Sequence, residues 1–401
     1  MTTYLNNYLD PRYKTYNNDF YNGVVRVSYN GYFATGTLLY DGKSILTSAH
    51  LFGSSDLDFS DTTVRLETSL GTVTYDATYT KYENYDPINA NGDLAIVRLY
   101  EPALADAQRY TLYRQSDEIG KTFTMVGYGI HGNGTTGVDE TDANQLLKLK
   151  TQNSFDADFA DIKAKTNLSW SPLVGSQLAA DFDDGYAGHD AIGIISGNTN
   201  TGLGTMEGLI ASGDSGGPAF IDAKLAGVAT FVATIDVNGL SPDINSSLDS
   251  SFGEIASWQR ISYYQEWIDK TIRAGYEDAP SKPEDVKKNI AEGATGEVST
   301  AYFLVQYTAL RSDISEAISV DYITRDGSAR AGEDYIAVEG TLMLYLDETQ
   351  AVIPVEIIGD NIYESNESFY LDIYNNSHGS FGDGVTILSA MRTITNDDFL
   401  L

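Results

Sequence analysis

Residues 213–220 read GDSGGPAF, set between the apolar run MEGLI (206–210) and the strand-like LAGVATFVAT (225–234). Gly, Asp, Ser and Pro are the ordinary turn formers, and a surface turn is what such a cluster usually makes. A second reading makes Ser215 a nucleophile, with glycines beside it because the backbone must approach a substrate closely. That reading places a demand on the rest of the chain. A serine hydroxyl needs a nearby base, and the base needs a group to orient it.

The chain has four histidines. His131 (GIHGNG), His189 (AGHDAI) and His378 (NSHGSF) sit in Gly-rich or polar loops, where a solvated imidazole is expected. His50 ends the apolar segment SILTSAHLF, where strand-end packing and catalysis are both open. NGDLAIVRL (91–99) offers Asp93 at the mouth of a strand; alone, an Asp there reads as a turn residue. Together the three motifs follow the order His, Asp, Ser at separations of 43 and 122 residues, each beside a predicted strand.

LTSAH, GDLAIVRL and GDSGGPAF resemble the signature segments of the chymotrypsin/trypsin-like serine peptidases, and the resemblance extends over residues 20–275. VGYG (126–129) and the helix-like ISYYQEWIDKTI also fit it. The resemblance implies a triad in which His50 takes the proton of Ser215 and Asp93 holds the imidazole, with the amides of Gly213 and Ser215 as oxyanion hole. It also implies that Asp214 pairs with a new amino terminus freed by cleavage, yet no Ile-Val-Gly-Gly is present and the corresponding region reads DPRYKTYNNDFYNG. Asp214 is therefore expected to find this or another partner. At the substrate pocket, Leu209 stands where trypsins carry an aspartate and Val232 where they keep an open glycine. A small or apolar residue before the scissile bond is expected, rather than Lys or Arg.

Bulk properties bound the remaining choices. At 401 residues, two or three domains is the natural expectation. With 42% hydrophobic residues, 28 Tyr and 15 Phe, there is ample material for packed β-structure. A net charge of −32 argues against nucleic acid or an anionic membrane as partner and suits cation binding or a salty exterior. Residues 281–401 carry 21 acidic and 7 basic side chains, and the rest is acidic too, so no single tail is responsible. With no cysteine, disulfides, thiolate metal sites and a Cys nucleophile are excluded. The amino-terminal stretch lacks the basic-then-apolar pattern of a signal peptide, and no 18-residue apolar run exists to span a membrane. The ending NDDFLL resembles tails of proteins exported without a cleaved leader, and equally the end of a strand.

Short β-branched and aromatic runs recur from residue 24: VVRVSY (24–29), GTLLY (36–40), SILTSA (44–49), TVTYDATYTKY (72–82), LAIVRLY (94–100) and TFTMVGYG (122–129). Residues 131–204, richer in Gly, Asp, Asn and Thr, read as long loops with a few strands. RISYYQEWIDKTIRAG (260–275) changes period, with Ile261, Tyr264, Ile268 and Ile272 on one helical face. YEDAPSKPEDVKKN (276–289) reads as linker, and strands resume beyond it.

The later segments DGSARAGEDY, EIIGDNIYESNESF and the terminal NDD resemble a Calx-beta domain, an Ig-like β-sandwich that often binds calcium. By that resemblance Glu292, Asp334, Asp360, Glu364, Asp397 and Asp398 form the cation cluster, although solvated surface charge remains open and Asn361 and Asn396 thin the acidic run. Calcium needs six to eight oxygens, mostly carboxylate.

The sequence thus predicts an all-β chain: an extension (1–19), a two-barrel trypsin-like domain with a C-terminal helix (20–275), a linker (276–285) and a β-sandwich (286–401). The expected activity is serine endopeptidase cleavage of a protein or peptide substrate, with no cofactor for the chemistry, Ca2+ in the sandwich, an extracellular or surface location, and a monomer by default. The alternative is a non-catalytic, calcium-dependent adhesion or binding protein on a protease scaffold.

Overall fold

Alternation along the strands builds the first barrel. In β2 (Val24–Tyr29), Val25, Val27 and Tyr29 enter a core while Arg26 and Ser28 stay half-buried, as a period of two requires. With β3 (Tyr32–Leu38), β4 (Ser44–Thr47), β5 (Thr63–Thr68), β6 (Gly71–Lys81) and β7 (Ala95–Leu99) it closes a six-stranded barrel in the order β2-β3-β4-β7-β6-β5. The computed structural model describes residues 1–53, 62–142, 147–236, 239–308 and 316–398. Ahead of the barrel, β1 is the short Thr2–Thr3.

The second half of the same unit is a seven-stranded antiparallel sheet, β11-β8-β15-β16-β17-β13-β12. Its strands are β8 (Thr122–Gly127), β11 (Leu149–Ser154), β12 (Ala157–Asp158), β13 (Gln177–Asp181), β15 (Pro218–Ile221), β16 (Lys224–Ala233) and β17 (Ile255–Arg260). Trp258, Phe123 and Phe155 lock its core, the two Phe rings stacked with centroids 4.0 Å apart and the indole edge-to-face with Phe123 at a centroid separation of 5.0 Å. A four-stranded satellite, β10-β9-β1-β14, joins β9 (Gly132–Asn133), β10 (Gly137–Val138) and β14 (Gly208–Leu209) to β1. The two-barrel, all-β plan expected from the sequence is present.

The structure refines several expectations. Residues 131–204, read as long loops with a few strands, contain β9 to β13 and, unexpectedly, two short helices, α1 (Phe159–Lys165) and α2 (Ala191–Ser196). Both helices are N-capped by aspartates: Asp158 accepts the Ala160 N–H and Asp190 the Gly193 N–H. They are too short to show a helical period against the Gly- and Asn-rich background. The segment 36–49 is divided otherwise than expected, with β3 ending at Leu38 and β4 at Thr47. Residues 1–19, expected as an extension, begin with Met1, Thr2 and Thr3 fully buried. The helix α3 (Ile261–Ala274) buries Ile261, Tyr264, Ile268 and Ile272 as its period predicts.

Contacts divide the chain into one unit of residues 1–39 and 43–268 and another of 40–42 and 269–401. In the second unit a five-stranded sheet, β18-β24-β23-β20-β21, accompanies the pair β19-β22. The strands are β18 (Asn289–Ala291), β19 (Val298–Gln306), β20 (Ile318–Asp326), β21 (Glu339–Leu344), β22 (Gln350–Ile358), β23 (Glu367–Tyr374) and β24 (Leu388–Thr395). Their inner faces meet at Phe369 and Tyr335, stacked at 4.5 Å, and at Val355 and Ile357, the β-sandwich expected for this region. The last residues of NDDFLL, 399–401, lie outside the described residues. Among the described residues no helix is long and apolar enough to cross a membrane.

Candidate active site and acidic cluster

His50 leaves the first barrel in a single 3₁₀ turn (Ala49–Phe52) directly after β4, and Asp93 lies two residues ahead of β7, which pairs with β4. The pairing brings the two together. Asp93, 1% exposed, accepts the His50 backbone N–H at 2.8 Å with Oδ1 and meets Nδ1 at 2.7 Å with Oδ2. Burial of the imidazole pulls its pKa down, but the hydrogen bond and charge of Asp93 outweigh this and hold it above the ordinary value. With Nδ1 bonded to the carboxylate, the neutral ring keeps its proton on that side and presents Nε2 as a base.

Ser215 arrives from the second sheet, in the turn before β15. Thr35 of β3 holds this turn against the first barrel, a role no local sequence signal announces. Its N–H donates to the Ser215 carbonyl at 2.9 Å, and its hydroxyl donates to the Gly213 carbonyl at 2.9 Å and accepts the Tyr128 N–H. The Thr47 hydroxyl donates to the Thr35 carbonyl at 2.8 Å. A Cβ on Gly216 would strike Thr47 and Ser48, so the Ser215 turn lies directly on the segment that leads to His50. Gly213 has φ +92°, a left-handed conformation that favours glycine, and a Cβ there would meet Phe33 at 2.8 Å. Among the described residues, neither the Gly213 nor the Ser215 N–H donates a hydrogen bond, while the intervening Asp214 N–H is taken by the Ala211 carbonyl. No hydrogen bond joins Ser215 Oγ to the His50 ring among them either.

Asp214 has a partner: the ammonium of Met1, 2.7 Å from Oδ2, with both groups 1% exposed. The ammonium also donates to the Ile130 carbonyl, and Asp214 accepts the N–H groups of Gly129 (2.8 Å) and Ala211 (2.9 Å). Burial lowers the amine's pKa and Asp214 partly restores it. Gly127 and Gly129 make room for the carboxylate, since a Cβ on either would lie within 2.5 Å of it; this accounts for the glycines of VGYG. The expected partner region, DPRYKTYNNDFYNG, supplies none of these contacts. Instead β1 carries Met1 inward through the register Thr2 to Leu209. Leu209 itself is wholly buried in the core with Met1, and Val232 packs half-buried against that same core.

In the second unit, β18 and β24 run parallel with Ala291 opposite Thr395, which sets Glu292 beside Asp397 and Asp398. One carboxylate oxygen from each of these three lies within 4.8 Å of the others, and a second group joins Asp334, Glu364 and Glu367. Glu367 was not expected. It opens β23 and looks like an ordinary strand residue until the fold turns it toward Asp334. Burial first, then the charges of Asp360, Glu364, Asp398 and Asp334, push Glu292 to about 7, so Asp360 belongs to the same electrostatic cluster. Asp398 Oδ2 is buried with no hydrogen-bond partner. An all-oxygen set holding an unpartnered carboxylate oxygen fits a hard divalent cation.

Comparison with known proteins agrees with this division. The Trypsin family model matches residues 12–164 and the Calx-beta domain model residues 294–398. Sodium/calcium exchanger 3 of Rattus norvegicus is 49% identical over 63 residues, 16% of this chain and 7% of its own. Human sodium/calcium exchanger 2 is 37% identical over 108 residues, 24% of this chain and 12% of its own. The chain thus spans only a small fraction of the curated relatives it matches. Neuropsin, a serine protease expressed in the limbic system of mouse brain, aligns with 65% of this chain and 98% of its own at 15% identity and a TM-score of 0.46. A Trypsin domain is followed, in this chain, by a Calx-beta domain.

Proposed function

We propose that the first unit is a serine endopeptidase with Ser215 as nucleophile, His50 as general base and acid, and Asp93 as the group that orients His50. The observation that carries this is the His50–Asp93 pair at 2.7 Å, together with a serine turn that packs on the segment leading to His50 and leaves two N–H groups uncommitted. His50 Nε2 takes the Ser215 proton as Oγ bonds to the peptide carbonyl carbon, and returns it to the leaving amine. Asp93 stabilises the imidazolium between these steps. The N–H groups of Gly213 and Ser215 receive the oxyanion, each contributing about 3 kcal/mol to the transition state. Leu209 and Val232 favour a small or apolar residue before the scissile bond, and a peptide library reads that preference out.

Fluorophosphonate labelling of the full chain, beside Ser215→Ala, tests the activity. We expect labelling that disappears in the variant. An unlabelled intact chain would sink the peptidase reading and leave the non-catalytic adhesion alternative. The neutral form of His50 is the active one, and its raised pKa sets a sign. The acid limb of kcat/KM should lie above the ordinary imidazole value of 6.5, with activity gained as pH rises through it. A pH profile with a peptide substrate checks this.

In the second unit the same reading assigns Glu292, Asp397 and Asp398, with Asp334, Glu364 and Glu367, to calcium. Bound calcium would neutralise the repulsion that raises Glu292. Calcium at a hundred times its Kd should stabilise that unit by about 2.7 kcal/mol. Calorimetry with and without chelator checks this, and Glu292→Gln should abolish most of the difference. Extracellular export and the boundaries 20–275, 276–285 and 286–401 belong to this proposal.

A further inference from the structure

The protease unit holds acidic groups that the chemistry above does not use. Asp181 ends β13, and Asp183, two residues on, lies on the same face of the extended chain. Asp190 caps α2. One carboxylate oxygen from each lies within 4.8 Å of the other two, and all three residues are buried. Part of this set is accounted for by backbone donors: Asp181 Oδ2 takes the Ile192 N–H, and Asp190 takes those of Gly193 and Asn200. Asp181 Oδ1 and Asp183 Oδ1 have no hydrogen-bond partner, although their residues are only 1% and 2% exposed. Among the described residues no Lys, Arg or His pairs with any of the three.

Three buried carboxylates this close repel one another and have lost their water. A proton on one group would relieve part of the repulsion and leave the other oxygens unpartnered. A divalent cation would satisfy all of them at once. The donors are all oxygen, with neither imidazole nor thiolate, which disfavours zinc. Magnesium keeps several waters and uses few protein carboxylates, so this set suits calcium. We infer that Asp181, Asp183 and Asp190 form a calcium site within the protease unit.

The site bears on the active centre through chain connectivity. Residues 182–207 lead from it into β14, which pairs with β1 and so flanks the strand that brings Met1 to Asp214. Glu207 links the two: its carboxylate accepts the Asp183 N–H at 2.8 Å and its carbonyl the Tyr4 N–H at 3.0 Å.

A second site is carried independently, by spacing. Asp243, Asn245, Ser247, Asp249, Ser251 and Glu254 occupy positions 1, 3, 5, 7, 9 and 12 of one loop, the positions that supply ligands in the twelve-residue calcium loop of EF-hands. Position 6 is Leu248 rather than glycine, and the left-handed residues are instead Ser246 and Ser250. The ends of the loop converge: Ser251 Oγ lies 3.3 Å from Asp243 Oδ1 and 3.5 Å from Glu254 Oε1. Asp243 Oδ2 and Glu254 Oε2 are left buried and unpartnered, their residues 8% and 0% exposed. This loop also supports β1, since the Thr2 hydroxyl donates to the Ser250 carbonyl at 2.7 Å. The geometry assigns a second calcium ion to residues 243–254.

Equilibrium dialysis of the full chain against radioactive calcium counts the ions. With the sandwich ligands replaced (Glu292→Gln, Asp334→Asn, Asp398→Asn), two ions should remain bound. Asp181→Asn/Asp183→Asn in that background should remove one of them and Glu254→Gln the other, with near-ultraviolet circular dichroism reporting the fold. No calcium in the sandwich-replaced chain would overturn both sites whether or not the further variants fold. One ion would overturn one site, and the variant that still binds it identifies which. The count does not depend on Ser215, so it stands or falls separately from peptidase activity.

Discussion

Asp93→Asn should lower kcat/KM by about 10⁴-fold while leaving the fold intact. The asparagine can still receive the His50 backbone N–H through its oxygen, so the turn Ala49–Phe52 stays in place. The loss is electronic. Asp93 Oδ2 sits 2.7 Å from Nδ1, where only an acceptor keeps the imidazole proton on that nitrogen and leaves Nε2 free. An amide NH2 turned toward Nδ1 would favour the opposite tautomer, and the imidazolium formed during acylation would lose its counter-charge. The same substitution should move the acid limb of the pH profile downward, because burial of the ring would then act without Asp93 to oppose it. Stopped-flow acylation kinetics with an activated ester, alongside thermal denaturation, separates the two effects. A variant with wild-type turnover would remove Asp93 from the mechanism.

Asp214→Asn should also be damaging, by a different route. Removing one partner of a buried ion pair leaves the other charge unpaired, at about 3–5 kcal/mol. Here the abandoned charge is the Met1 ammonium, which could escape only by losing its proton or withdrawing β1. The turn 211–215 would slacken too, because Asp214 ties it to the Gly129 and Ala211 N–H groups. Since the Gly213 N–H is an oxyanion donor in the proposed mechanism, its displacement should cost kcat by about 10²–10³-fold. Calorimetry and kcat measured together test this, and Gly129→Ala, whose Cβ would meet the same carboxylate, should act in the same direction. Unchanged stability and turnover in both variants would show that the Met1 pair is not structural.

Much of this was legible in the residues alone. Short β-branched and aromatic runs divided by turns forecast β2, β6 and β7, because the composition of a strand is written locally. The helical period of 261–274 was equally plain. His50, Asp93 and Ser215 each stand in short motifs whose glycines, aspartates and strand edges are local requirements of the chemistry. Short elements such as β1, β9 and α2 were not legible, since two to six residues cannot display a period.

The long-range partners belong to the tertiary structure. That Asp214 meets Met1, that Thr35 bridges the two halves of the unit, and that Glu367 turns toward Asp334 all depend on strand pairings between distant segments. In a chain with 57 acidic residues, one carboxylate looks like another. Asp181, Asp183 and Glu254 gain their character only when folding strips away their water and gathers them without a counter-charge. Sequence therefore determined which residues could carry the chemistry, through local pattern. Burial and convergence, which only the fold supplies, decided which carboxylates became ion-pair partners, which meet an imidazole, and which are left buried without a partner.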